Sequence, residues 1–426
     1  MHSTPKNLRL HIGIFGRRNV GKSSLLNAIT RQQVSIVSDV AGTTTDPVEK
    51  PMELLPLGPV LFIDTAGIDD VGALGAQRVE RTRQVLDRTE IGIIVAEAGQ
   101  WGEYEEALLA ELAQRKIPTI AVINKADLLA DEYAASTTAA LAKRCRVICA
   151  SALTGAGIGE LRQALLESAP PSFLDSPALA GDLVGSGGVA VLVVPIDKEA
   201  PRGRLILPQV QTIRDLLDHN AFCLVTKENE LRAALEKLSS PPQLVVTDSQ
   251  AFLTVAAAVP PQVPLTSFSI LLARAKGDLE SMAVGALAIE TLRSGDRVLI
   301  AEACSHHPIA DDIGRVKIPR WLNQYVKGHL DFTHVQGHDF PKDLTPYRLV
   351  IHCGACMLNR REVLSRIMRC REQGVPITNY GLAIAYSLGI LARAIAPFPS
   401  ALAAYRLAAK ENTVLIHREM DNQPYP

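Results

Sequence analysis

Along this chain apolar residues gather into short runs, each followed by a polar, glycine-bearing turn and then by a segment with helical spacing. The run "LRLHIGIF", Leu8 to Phe15, predicts a buried strand, and "SSLLNAIT", Ser23 to Thr30, predicts the helix after it. "LFID", "AVIN" and "VICA" repeat the strand signal as far as Ala150. Further on, "VAVLVV", "AFCLVT" and "QLVVTDS" predict three strands, alternating with helices at "ILPQVQTIRDLLDHN", "NELRAALEKLSS" and "AFLTVAAAV". From about residue 265 the alternation resumes. "GDRVLIAEA", the short "HLDFTHVQ", "YRLVIHC" and "VPITN" read as strands, with helices in "NRREVLSRIM" and "GLAIAYSLGIL". Strands apolar on both faces belong to parallel sheets covered by helices, so the expected class is α/β. The stretch "SAPPSFLDSPALAGDLVGSGG" is rich in Pro, Gly and Ser and predicts a linker. The expected domains are residues 8–170, 180–263 and 265–410.

Length and charge narrow the class. A chain of 426 residues, 47% hydrophobic, exceeds one ordinary core. No run is long enough to span a bilayer, and "MHSTPKNLRL" has no apolar leader, so a cytoplasmic protein without membrane association is expected. Lys and Arg number 44 against 45 Asp and Glu, a balance that argues against a nucleic-acid partner. Seven cysteines in such a chain point to metal or redox chemistry, or to burial, rather than to disulfides.

The strongest chemical signal is "GRRNVGKS", Gly16 to Ser23, between the first strand and its helix. Gly16 and Gly21 let the backbone wrap a phosphate, and the helix N-terminus adds partial positive charge. Lys22 is expected to reach the β- and γ-phosphates, Ser23 to ligate Mg2+, and Ser24 to join the phosphate-binding set. In "AGTTTDP" one threonine should complete the magnesium shell, Thr44 by preference, with Thr43 and Thr45 as rivals. In "LFIDTAG", Asp64 suits a magnesium-bound water and Gly67 offers an N–H to the γ-phosphate. "AVINKAD" supplies Asp127, whose carboxylate can accept two hydrogen bonds from a guanine edge, with Asn124 and Lys125 bracing base and loop. "VICASALTG" adds the last base contact near Ser151 and Ala152. Each piece alone could be an ordinary loop. Five in order, each after a strand, predict a GTP- and GDP-binding P-loop domain with GTPase activity.

Ile68 follows "DTAG" where many relatives of Ras place the glutamine that orients water. A hydrophobic residue there implies slow hydrolysis or another device. The domain resembles Era-like and MnmE-like GTPases, with "GRxNxGKSSLLN" and "GTT". The resemblance implies that Asn19 helps bind K+ in place of an arginine finger; a loop-shaping role for Asn19 stands level with it. "GIDDVGALGAQR" reads as a second switch.

The middle segment shows no catalytic cluster, and Cys223 within "AFCLVT" reads as a core residue. A domain so small and apolar suits a dimer interface. The loop "PIDKEAPRGR" is denser in charge than a connection needs, which draws notice to Asp197.

The last segment carries Cys304, Ser305, His306 and His307 after one strand, and His352, Cys353 and Cys356 after another. In open parallel sheets, sites form beyond the carboxyl ends of strands, so the two groups can converge. A C-x-x-C redox pair would use neither Cys304 nor the histidines. Structural zinc on Cys3His fits the ligands, and so does an iron–sulfur cluster on three cysteines; composition ranks these two level, ahead of redox chemistry or plain burial. Cys145, Cys149 and Cys370 sit in strand or helix patterns and read as core.

P-loop domain, α/β middle and "C-S-H … H-C-G-A-C" together resemble the HydF family of FeFe-hydrogenase maturation GTPases over essentially the whole chain. The family pattern C-x-H…H-C-x-x-C is matched by Cys304, His306, His352, Cys353 and Cys356. The resemblance implies a 4Fe-4S cluster on Cys304, Cys353 and Cys356, and a scaffold that carries a transient two-iron subcluster. Its implied partners are two radical-SAM maturases and the FeFe-hydrogenase apoprotein, and its implied state is a homodimer through the middle domain. His306 and His352 are candidates for a labile fourth ligand or for hydrogen bonding behind the ligands; Asp197 is a further candidate for the fourth position. Asn379 and Tyr380 could line the same crevice, although a helix-capping turn explains them better. The competing functions are an RNA- or ribosome-associated GTPase with a zinc-binding module, and a thiol oxidoreductase fused to a GTPase.

Overall fold

Every residue of β1 (Leu10–Phe15) is buried, as expected for a central parallel strand under helices on both faces. The computed structural model describes residues 4–30, 47–55, 57–65, 73–97, 99–128, 138–174, 177–196, 203–303 and 312–421. The chain divides into two compact units, Met1–Ser176 and Pro177–Pro426.

In the first unit, β1 is followed by α1 (Lys22–Thr30), β2 (Val48–Leu54), β3 (Gly58–Asp64), α2 (Ala73–Arg88), β4 (Ile91–Glu97), α3 (Glu103–Gln114), β5 (Thr119–Asn124), β6 (Arg146–Cys149) and α4 (Ile158–Glu167). The sheet order is β2-β3-β1-β4-β5-β6. Only β2 runs antiparallel, against β3. Leu25, Leu26 and Ile29 of α1 and Leu161 and Leu165 of α4 cover one face over Leu10, Ile12 and Ile14. Val85 and Leu86 of α2 and Leu108, Leu109 and Leu112 of α3 cover the other over Leu61 and Ile63. The sequence pattern does not announce β2. Its residues "VEKPMEL" are mostly polar, and Pro51 has no N–H to donate, both tolerable only at an edge.

The second unit contains two parallel four-stranded sheets. The first, in order β10-β9-β7-β8, uses β7 (Val189–Val193), β8 (Phe222–Thr226), β9 (Leu244–Thr247) and β10 (Leu265–Ser267). Its helices are α5 (Leu207–Asp218), α6 (Leu231–Glu236) and α7 (Phe252–Ala258). Then come α8 (Phe268–Lys276) and α9 (Leu279–Gly285). The second sheet has the order β12-β11-β13-β14, with β11 (Arg297–Glu302), α10 (Ile318–Val326), β12 (Asp331–Gln336), β13 (Leu349–His352), α11 (Arg360–Glu372), β14 (Ile377–Asn379), α12 (Tyr380–Ser387) and α13 (Pro399–Asp421).

One apolar core runs through both sheets, from Ala180 to Ala401. Helix α8 is why. Phe268, Ile270, Leu271, Leu272, Ala273 and Ala275 are all buried, so it has no solvent face, and it packs against α5 on one side and α11 and α12 on the other. The residues expected at 180–263 and at 265–410 therefore lie together in this unit. Part of the expected linker is folded onto it. The amides of Ala180 and Gly181 both donate to the Asp215 carboxylate at 2.7 Å, and Asp182 pairs with Arg274. Cys370 is buried in this core and Cys223 packs at its margin, while Cys145 and Cys149 pack against the core of the first unit. Among the described residues no helix is long and apolar enough to cross a membrane.

Candidate functional site

The nucleotide loop begins where β1 ends. Gly16 and Gly21 both hold positive φ, +150° and +86°. A Cβ on Gly16 would meet the Val95 carbonyl at 2.3 Å, and one on Gly21 would meet Asn124 Nδ2 at 2.3 Å, so neither position admits a side chain. Asn124, at the end of β5 and almost fully buried, donates from Nδ2 to the Val20 carbonyl at 2.8 Å and accepts the Ala152 amide at 3.2 Å. One side chain thereby stitches the phosphate loop to the segment after β6. Ser151 is buried and its hydroxyl accepts the Thr154 amide at 3.2 Å. Lys125 has φ +57° and reaches Glu97 at 3.0 Å, while Asp127 is exposed one turn later.

Lys22 opens α1. Its ammonium donates to the carbonyls of Gly16, at 3.0 Å, and Arg17, at 2.7 Å. Ser23 Oγ donates to Asp64 Oδ2 at 3.0 Å. The other oxygen, Oδ1, is buried with no hydrogen-bond partner. Burial pushes the Asp64 carboxyl up, against the opposing Lys22 charge and Ser23 bond. An orphaned carboxylate oxygen beside a serine hydroxyl at a helix N-terminus fits a hydrated divalent cation. Ser24 follows in the first turn of α1, half-buried, and Asn19 is exposed with φ +59°. Arg17 forms a two-pronged ion pair with the fully buried Glu105, at 2.9 and 3.0 Å, which fastens the loop to the start of α3. Thr43, Thr44, Thr45, Gly67 and Ile68 lie outside the described residues.

In the second unit the carboxyl ends of β11, β13 and β14 stand level, with Ala301 beside His352 and His352 beside Asn379. The Cys353 amide donates to Ala301 at 2.9 Å, and the Ala303 amide donates to Cys353 Sγ at 3.0 Å. A second amide, from Ala355, reaches the same sulfur at 3.4 Å. Ala355 has φ +54°, a left-handed turn that carries the chain from Cys353 round to Cys356. Burial pushes the Cys353 thiol up to about 11, with the neighbouring Cys356 adding to it. Burial also raises Cys356, opposed by the Lys276 charge and by the amides of Cys356 and Met357. A soft metal would displace these protons and take over thiolates already supplied with N–H donors. The donor set fits a thiolate-bound iron–sulfur or zinc centre.

His352 is fully buried, and both ring nitrogens are engaged. Nδ1 donates to the Cys353 carbonyl at 2.9 Å and Nε2 accepts from Arg366 at 3.0 Å. Burial, reinforced by the Arg366 charge, pushes its pKa down to about 3, so the ring is neutral. Arg366 in turn bonds the buried Glu362 at 2.8 Å, and Glu362 holds His338. Asn379 caps α12 by accepting the Leu382 amide at 2.9 Å, and the Tyr380 hydroxyl donates to Glu302 at 3.3 Å. Cys304, Ser305, His306, His307 and Asp197 lie outside the described residues, and among the described residues no group of three potential ligands gathers. Arg366, Glu302 and Lys276 were not foreseen. Each acts through a contact remote in sequence, which no local pattern marks.

Comparison with known proteins covers both units. The family model described as 50S ribosome-binding GTPase matches residues 11–125. GTPase Der of Wolinella succinogenes is 37% identical over 137 residues, 31% of this chain and 28% of that protein. The tRNA modification GTPase MnmE of Laribacter hongkongensis is 37% identical over 165 residues, 37% of this chain and 34% of that protein. The chain thus spans about a third of the length of these curated relatives. A crystal structure of Era from Aquifex aeolicus aligns with 59% of this chain and 99% of its own, at 19% identity and a TM-score of 0.34. The hydrogen maturase F dimerization domain matches residues 179–277, and the hydrogen maturase F tetramerization domain matches residues 280–397. With a GTPase domain followed by these two domains, the chain belongs to the hydrogen maturase F family.

Proposed function

We propose that the protein is a GTP-hydrolysing scaffold that holds a two-iron precursor on a 4Fe-4S cluster and passes it to apo FeFe-hydrogenase. The carrying observation is the bond from the Ala303 amide to Cys353 Sγ, because one peptide bond separates Ala303 from Cys304. Adjacent pairing of β11 and β13 brings Ala303 and Cys353 to one sheet end, which supports convergence of the cysteines that follow them. Cys304, Cys353 and Cys356 would hold the cluster, which supplies one iron with an exchangeable position for the cargo. His352 braces the loop from behind, its two nitrogens engaged. His306 and Asp197 are then the candidates for the fourth position. The hydrogen maturase F matches over residues 179–277 and 280–397 favour this reading over an RNA-associated GTPase.

In the first unit Lys22 would leave the carbonyls of Gly16 and Arg17 for the β- and γ-phosphates, joined by the amides of the loop and by Ser24. Ser23 and Thr44 would hold Mg2+, which neutralises phosphate charge, with Asp64 holding one of its waters. Gly67 would donate to the γ-phosphate, and Asn19 would take a potassium ion. Asp127 would read guanine, flanked by Lys125, Ser151 and Ala152. Hydrolysis gates a conformation or partner release and drives no iron chemistry. The precursor would come from the radical-SAM maturases. The protein would be a homodimer through the first sheet of the second unit, where edge strand β8 exposes Phe222 and Val225.

Anaerobic reconstitution with iron and sulfide tests the reading. Broad absorbance near 400 nm is expected, on the order of what thiolate-bound clusters show, together with loss of bound iron in Cys304→Ala, Cys353→Ala and Cys356→Ala. Colourless protein holding zinc would sink it. Lys22→Ala should abolish hydrolysis; unchanged cofactor delivery by that variant would sever the coupling.

A further inference from the structure

Lys276 is the last residue of α8 and only 8% exposed. Its ammonium donates to the carbonyls of Ala355 at 2.9 Å, Cys356 at 3.3 Å and Leu358 at 2.9 Å. An ammonium has three N–H groups, and here each meets a carbonyl. All three carbonyls belong to the loop between β13 and α11 that carries Cys353 and Cys356. The preceding carbonyl, of Ala275, accepts from Arg360 Nη1 at 2.8 Å in the first turn of α11. The end of α8 therefore grips the thiol loop at its middle and at its exit. Gly354 of the same loop lies against α8, where a Cβ would stand at ordinary contact distance from Leu272 and Ser269.

Two consequences follow from this geometry. In a trans peptide the C=O and the next N–H point opposite ways. Carbonyls of Ala355 and Cys356 drawn to Lys276 therefore turn the amides of Cys356 and Met357 away from it, and those amides act on the Cys356 sulfur. The second consequence is electrostatic. A buried cation is expensive to desolvate and is kept where it compensates negative charge that solvent cannot reach. Two thiolates bound to metal are such a charge.

We propose that Lys276 is a positioning residue for the thiolate pair: its ammonium sets the backbone of the C-x-x-C loop and supplies a fixed positive charge beneath the centre bound there. The inference rests on the reading of Cys353 and Cys356 as cluster ligands. Added positive charge near a cluster favours the reduced form, so removing it makes reduction harder.

The test uses full-length protein, reconstituted anaerobically, as wild type, Lys276→Met and Lys276→Arg. Iron content, the reduction potential from an EPR-monitored titration and the melting temperature without iron are read for each. The Met variant should show a more negative potential, and the Arg variant should return it toward wild type. A Met variant with wild-type iron content and potential overturns the proposal. If Met fails to hold iron, Lys276→Gln, neutral yet still a donor, is expected to show the same negative shift, and a wild-type potential in it overturns the proposal. If both neutral variants lose iron, retention by Arg upholds the need for charge, and loss by Arg refutes it. Wild-type protein that takes up no iron would defeat the cluster reading and the inference with it. Normal iron with unchanged variants defeats the inference alone.

Discussion

Arg366 Nη1 lies 3.0 Å from His352 Nε2, while the same imidazole gives its Nδ1 proton to the Cys353 carbonyl at 2.9 Å. Because a guanidinium can only donate, this fixes the tautomer of His352. The histidine that precedes the cysteine pair is therefore a brace. His352→Ala should keep its reconstituted iron, read by iron analysis, and lose stability. Arg366→Met should cost about 3 kcal/mol in denaturant unfolding, since it takes the buried ion partner from Glu362 and the donor from His352. A colourless His352→Ala protein would put the ring on iron instead.

Asp64 supports a second expectation. Its Oδ1 is buried without a partner, and an unsatisfied buried carboxylate oxygen destabilises the metal-free domain. Asp64→Asn removes the charge and keeps an acceptor for Ser23. The variant should melt higher than wild type without Mg2+, by the equivalent of about 1 kcal/mol, and lose Mg2+-dependent GTP hydrolysis by about 100-fold. A variant that melts lower would show the orphaned oxygen to be harmless.

Asn19 sits exposed in a left-handed conformation within the phosphate loop. If its side chain takes a potassium ion, Asn19→Ala should hydrolyse GTP at one rate in KCl and NaCl, whereas wild type should be faster in KCl by about 10-fold or more. Equal wild-type rates in the two salts leave Asn19 a loop-shaping role.

Phe222 lies on edge strand β8 and is 63% exposed. A lysine there sets a charge in any strand-to-strand contact between copies. Light scattering of Phe222→Lys should give a smaller oligomer than wild type at the same concentration. An unchanged mass moves the interface elsewhere.

Glu49 in β2 is flanked by Lys6 and Arg88. Burial alone would raise its carboxyl, but the Lys6 hydrogen bond and the Arg88 charge outweigh that and hold it at about 2. A folded pKa below the unfolded value near 4.5 gives stability that is complete above about pH 4.5 and fades as pH falls toward 2. The first unit of wild type should lose up to about 3 kcal/mol more than Glu49→Gln across that window. Parallel acid titrations that coincide would contradict it.

How much of this was legible in the sequence differs between the two units. That Gly16, Gly21, Lys22, Ser23, Asp64, Asn124 and Asp127 stand at or just beyond strand ends was readable because motifs of this kind occupy single loops after strands, where spacing is fixed by the backbone. The parallel strands were readable for a related reason: burial on both faces leaves continuous apolar runs. Polar edge strand β2 and three-residue β10 carry no such pattern.

The sequence by itself determined the strand-and-helix alternation, the nucleotide loop and the presence of paired thiols beyond a strand end. Only the tertiary structure decided that His352 faces Arg366, that α8 joins two sheets into one core, and that Lys276 holds the loop of Cys353 and Cys356 across 79 residues of chain. Hydrogen bonds and burial between distant segments depend on how helices and sheets stack, and that stacking leaves no periodic mark in either partner.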